Sequence, residues 1–112
     1  MNAYTTTEKI RRLNDCFRRS MAFGGSVMLT TGVACLDSQC KAELLEQVRK
    51  FDKFTLDNDP HGEHDFGAID LGAVTYFFKI DYYDLSRTVG SPDPADLAVT
   101  HRVLTIMRAD EY

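Results

Sequence analysis

Apolar residues at Ile10, Leu13 and Phe17 recur at the i, i+3, i+7 spacing of an amphipathic helix. Thr5-Thr6-Thr7-Glu8 stands ahead of them as a capping sequence. Arg11, Arg12, Arg18 and Arg19 are expected on the outer surface of this helix, and Gly24-Gly25 ends the unit. Ser26 to Thr31, rich in apolar and β-branched residues, predicts a strand that closes near Gly32 or Leu36. Asp37 or Ser38 then starts a second helix with Leu44, Leu45, Val48 and Phe51 on its buried face. Phe54 is expected to dock just past its end. A polar loop from Asp57 to Gly62, punctuated by Pro60 and Gly62, separates this half from a run of strands.

Residues 64–71 predict one strand, and residues 73–83 predict a strongly alternating one. Val74, Tyr76, Phe78, Ile80 and Tyr82 share one side of it, while Thr75, Phe77, Lys79, Asp81 and Tyr83 share the other. Asp70-Leu71-Gly72-Ala73 is short enough for a hairpin. Phe77 makes the second face only partly polar, so a covering element or a dimer contact is expected there. Residues 84–96 read as a loop, with Asp93 and Pro94 suited to open a short helical turn. Residues 101–107 predict a last strand, with a helix over 95–107 as the competing pattern. Helix, strand, helix and two or three further strands make an α+β domain. The expected architecture is an antiparallel sheet of three to four strands with two helices packed on one face.

At 112 residues the chain fits a single domain, 1–112, able to bury roughly two-thirds of its unfolded surface. No apolar run reaches the roughly 20 residues of a membrane span, and Met1 to Ile10 lacks the apolar stretch of a secretory signal. Three cysteines in no framework spacing favour reduced thiols and a cytoplasmic location. The net charge of −4 is unevenly spread. Residues 1–56 carry nine Lys/Arg against six Asp/Glu, whereas residues 57–112 carry four against eleven, a balance of −7. An acidic half opposes direct nucleic-acid binding, which draws its affinity from cations at phosphates, and favours a partner protein with a basic surface.

The densest chemistry lies between Asp57 and Asp65, where Asp57, Asp59, Glu63, Asp65, His61 and His64 fall within nine consecutive residues. Such a set can bind a hard or borderline metal ion, move protons, or keep a loop solvated. Alternation along a strand sends His64 to one side and Glu63 and Asp65 to the other, which opposes convergence on one ion. Cys35 and Cys40 with His61 and His64 have the residue types of a zinc site, but a strand end and a helix would splay the two thiols. Nucleophilic catalysis by either cysteine has no motif to frame it.

Asn58-Asp-Pro-His-Gly-Glu-His-Asp-Phe-Gly67, Lys79-Ile-Asp-Tyr-Tyr-Asp84, Gly90-Ser-Pro-Asp-Pro-Ala-Asp96 and Arg102-Val-Leu-Thr-Ile-Met107 occur in that order. From about Ile10 to Tyr112 the chain resembles the bacterial family known as domain of unknown function 3768. The resemblance implies a cytoplasmic protein frequent on plasmids and other mobile elements of alphaproteobacteria, with no established activity, cofactor or metal to carry over. Family members often show an aromatic residue in place of His61, which shifts weight to Glu63, His64 and Asp65.

The leading expectation is therefore a non-enzymatic binding protein of a mobile element. It would occupy a basic site on a host protein, as an inhibitor of a defence nuclease of the anti-CRISPR or anti-restriction kind. The expected partner-binding residues are Asp57, Asp59, Glu63, His64, Asp65, Asp81, Tyr83 and Asp84. A metal-dependent hydrolase using Glu63, His64 and Asp65 is the alternative.

Overall fold

The computed structural model describes residues 4–112. Helix α1 (Thr6–Ser20) starts where the sequence places a capping box. Thr5 accepts from the Glu8 amide at 3.1 Å, and the Glu8 carboxylate accepts from the Thr5 amide at 3.1 Å. Met21, in the left-handed region at φ 53°, ends it. Strand β1 (Gly25–Leu29) leads into a one-turn helix, α2 (Thr31–Ala34), where only strand and turn were expected. Asp37 caps helix α3 (Ser38–Lys50) by accepting from the Cys40 amide at 2.8 Å, and Arg49 and Lys50 sit at its negative end.

Strands β2 (Phe66–Leu71) and β3 (Val74–Tyr83) form the expected hairpin around Gly72, and β4 (His101–Arg108) returns between β3 and β1. The sheet order is β1-β4-β3-β2. β2/β3 and β3/β4 run antiparallel, while β1 runs parallel to β4 with Val27 beside Leu104. The fold is thus α+β with a mixed, mostly antiparallel sheet. The segment 101–107 is a strand, and helix over 95–107 is confined to a single 3-10 turn, Leu97–Val99. Asp93 caps the turn at Pro94 and Ala95 as expected, accepting from the Ala95 amide at 3.1 Å, and Asp96 caps the following 3-10 turn by accepting from the Ala98 amide.

One face of the sheet holds the core. Tyr76, Phe78 and Ile80 of β3, Leu104 and Ile106 of β4, and Ile69 of β2 pack against Phe17, Val33, Leu44 and Val48 of the three helices. Phe78, Leu44, Leu104 and Ile106 lose all contact with solvent. Each such side chain contributes about 1.5–3 kcal/mol by leaving water. Gly67 lies directly over Phe78 and Phe51, and a Cβ there would overlap the Phe78 ring. Phe54 docks past the end of α3 as expected, edge-on to Phe51 with centroids 4.8 Å apart.

Among the described residues no α-helix lies on the other face. Phe77 is covered there by the chain itself: its ring meets Phe66 at 5.0 Å and Tyr112 at 5.7 Å. The 3-10 turn Ala109–Glu111 brings Tyr112 back over the sheet. Glu111 anchors this return by accepting from the Thr30 hydroxyl at 2.7 Å and the Gly32 amide at 2.9 Å at the start of α2.

Two expectations about side chains are corrected. Arg18 is fully buried and does not lie on the outer surface of α1. Its guanidinium donates to the Val48 and Phe51 carbonyls at 3.1 and 2.9 Å and pairs with Asp15 at 3.1 Å, so it locks α1 to the end of α3. Cys16, Cys35 and Cys40 are free thiols as expected, and all three are exposed, not packed into the core as small hydrophobes.

Candidate functional site

The acidic loop divides at His64. Its backbone is left-handed (φ 57°), so the strand begins at Phe66 and not at His64. Two interactions hold that conformation. The His64 amide donates to Asp59 at 3.0 Å, and ring Nδ1 donates to Asp15 of α1 at 2.8 Å. The ring stacks on Phe54 with centroids 3.7 Å apart and planes 4° from parallel. Asp59 is nearly buried beneath this arrangement.

Glu63 faces the same way. It accepts from the Tyr82 hydroxyl at 2.8 Å, and that hydroxyl accepts from Asn14 at 2.8 Å. Asn14 is wholly buried and also donates to the Glu63 carbonyl and accepts from Arg102 Nε at 2.7 Å. Arg102, equally buried, spends a second donor on the Pro94 carbonyl at 2.6 Å. Burial pushes the Tyr82 phenol well above its ordinary value and lowers the Arg18 and Arg102 guanidiniums from theirs. Asp59, Glu63 and His64 are therefore tied to α1 and the core.

Asp65 turns the other way. With Asp57, His61, Lys79 and Asp81 it lines a cavity of about 350 Å³ on the β2 side of the uncovered face, walled by Phe66 and Tyr112. Burial, reinforced by Glu63 and Asp59, raises the Asp65 carboxyl above the usual carboxylate range. Asp81 pairs with Lys79 at 2.6 Å, which raises the Lys79 ammonium. Tyr83 and Asp84 lie apart from this cavity. Tyr83 faces Ser26 and His101 towards β1, and Asp84 is a loop cap. The Asp84 carboxylate holds the Thr88 amide at 3.0 Å, a bond that keeps its carboxyl below the usual range.

The eight expected binding residues thus fall into three places, with Asp57, Asp65 and Asp81 brought together. Among the described residues no three His, Cys, Asp or Glu side chains gather in a way that could hold a metal ion. Cys35 ends α2 and Cys40 lies in the first turn of α3.

Asn14, Asp15, Arg18 and Arg102 escape a reading of the sequence for catalytic types, although a signal exists. Asn14 and Arg18 occupy the Ile10–Phe17 stripe of α1, and Arg102 shares the inward phase of Leu104 and Ile106. A polar residue in a buried phase marks an internal hydrogen-bond network.

No described helix is long and apolar enough to cross a membrane. No curated protein and no solved structure matches the chain. Residues 29–111, from the end of β1 through the C-terminal turn, match the family described as "Protein of unknown function (DUF3768)", and the chain belongs to that family.

Proposed function

We propose that this chain is a non-enzymatic binding protein that docks the acidic end of its uncovered sheet face onto a basic site of another protein. The observation that carries this reading is the meeting of Asp57, Asp65 and Asp81 around a cavity walled by Phe66 and Tyr112, on the sheet face opposite the helix-packed core. Carboxylates beside aromatic rings suit an arginine or lysine of the partner, which gains both an ion pair and a ring contact. A groove that ordinarily holds nucleic-acid phosphates has this chemistry. Occupying one in the cytoplasm, as an anti-CRISPR or anti-restriction inhibitor of a bacterial mobile element, is the role we assign. The hydrolase alternative draws less support, because Tyr82 holds Glu63, Asp15 holds His64, and Asp65 opens on the opposite side.

The test is capture of a host partner by the tagged protein, with Asp57→Lys/Asp81→Lys as the reversed-charge variant. Capture by the wild type that weakens with salt and disappears in the variant, at an unchanged melting temperature, is expected. Equal capture by the variant overturns the proposal.

A further inference from the structure

The β1 side of the uncovered face carries a second cavity, of about 410 Å³, within the range of small-ligand sites. Ser26, Met28, Tyr83, Arg87, His101 and Val103 line it. Ser26 and His101 come together because β1 and β4 run parallel: Ser26 lies beside Val103, two residues along the same face from His101. Ser26 Oγ and His101 Nε2 are 2.8 Å apart. Burial, and then the charge of Arg87, keep the His101 imidazole below its ordinary value, which favours the neutral ring at neutral pH.

Arg87 is placed with care. Its backbone is left-handed at φ 62°, and its amide donates to the Asp84 carbonyl at 3.0 Å. Asp84 also ties down Ser86 and Thr88, so the loop that carries Arg87 is internally bonded. Among the described residues the Arg87 guanidinium has neither an ion pair nor a hydrogen bond. Apolar walls (Met28, Val103 and the Tyr83 ring), one unpaired cation and a hydroxyl–imidazole pair together are complementary to an anion with an apolar group.

We infer that this cavity is a binding site for a monocarboxylate carrying an apolar group, with Arg87 pairing the carboxylate, Ser26 and His101 orienting it, and Met28 and Val103 holding the apolar part. The guanidinium fork matches a carboxylate in a bidentate pair. One cation balances one negative charge, and a protein of net charge −4 repels a multiply charged phosphate. Among the described residues no carboxylate contacts the other nitrogen of His101, so the pair lacks the orienting acid of a hydrolytic triad and suits recognition. The site lies beyond the acidic cavity of the proposed function and does not depend on it.

The same chemistry exists in a free arylalkyl carboxylate and in the C-terminus of an apolar peptide, and the experiment separates them. The full chain is titrated, with amide and imidazole NMR shifts as the readout, against 3-phenylpropionate, its neutral amide, inorganic phosphate, and an apolar pentapeptide with a free or an amidated C-terminus. Saturable shifts confined to Ser26, Met28, His101 and Val103 are expected with the carboxylates, and binding at least about tenfold weaker with the amides and phosphate. Arg87→Gln should lose about tenfold or more in affinity, the worth of one charge-assisted contact, at an unchanged melting temperature. Tighter binding of the peptide assigns the site to a protein C-terminus, and tighter binding of the free acid assigns it to a small molecule. Shifts scattered over the surface, equal binding of the amides, or full affinity in Arg87→Gln overturn the inference. Covalent labelling of Ser26 by a fluorophosphonate overturns it too, in favour of a nucleophile.

Discussion

Asn14 Oδ1 accepts a hydrogen bond from Arg102 Nε at 2.7 Å, with both side chains sealed from solvent and 88 residues apart in sequence. Through this one amide α1 is joined to β4, to the Tyr82 hydroxyl of β3 and to the loop at Glu63. Arg102 has little to spare, since its Nη1 is buried without a hydrogen-bond partner. Removing the amide strands more of a buried cation, which water cannot reach to compensate. Asn14→Leu is therefore expected to destabilise the protein by about 3 kcal/mol although it adds apolar surface to a helix. Urea unfolding followed by far-ultraviolet circular dichroism measures this. A loss below about 1 kcal/mol would show that the network does not hold the two halves together.

His64 offers a separable test of backbone and side chain. Its left-handed φ costs about 1 kcal/mol for any residue with a Cβ, while the Asp15 bond and the Phe54 stack offset that cost. His64→Ala should lose about 2–3 kcal/mol, because it keeps the strain and discards both contacts. His64→Gly should recover about 1 kcal/mol of that loss. Equal stabilities of the two variants in the same urea titration would place His64 outside the strain argument.

What could be read in the sequence is what local chemistry decides. The Thr5–Glu8 box and the Asp37 cap set the helix starts, and the alternation from Val74 to Tyr82 sets which face of β3 is buried. Long-range partners decided the rest. The left-handed turn at His64, which separates Glu63 from Asp65, is held by Asp15, 49 residues away. The inward course of Arg18 depends on carbonyls at the end of α3. The parallel pairing of β1 with β4, which makes the Ser26–His101 contact, is not written in five residues of β1. Thr30, Thr31 and Gly32 look like the end of a strand, but the carboxylate of Glu111, 79 residues beyond Gly32, stabilises a helical turn there.

Tyr112 joins the aromatic cover over Phe77 to the acidic cavity. Its ring lies against Phe66 and Phe77 and also walls the cavity that holds Asp57, Asp65 and Asp81. The ring is three-quarters exposed, so Tyr112→Ala should cost only about 0.5–1.5 kcal/mol. Partner capture should fall much further, because the cavity loses the aromatic wall against which a basic side chain would pack. Thermal unfolding and partner capture on the same variant separate the two effects. A large stability loss with intact capture would make Tyr112 a structural lid and remove it from the proposed interface.

Asp65 and Asp84 give opposite responses to pH, and the signs follow from their environments. The folded carboxyl of Asp65 sits above its unfolded value, so the native state holds this proton more tightly than the unfolded chain does. Its contribution to stability is greatest in acid and declines as pH rises through the carboxylate range towards the raised folded value. Asp65→Asn should therefore stabilise the protein at pH 7 and lose that advantage once the wild-type carboxyl is protonated in both states. Asp84 sits below its unfolded value through the Thr88 amide, so its contribution is present above the unfolded range and disappears as pH falls through the depressed value. The Thr88 amide, which donates to the Asp84 carboxylate, and the Arg87 amide, which donates to the Asp84 carbonyl, should accordingly lose exchange protection in acid before the sheet does. Melting temperatures of the wild type and Asp65→Asn between pH 3 and 8, with amide exchange at the two ends, check both. An Asp65→Asn advantage that grows in acid would contradict the burial of that carboxyl.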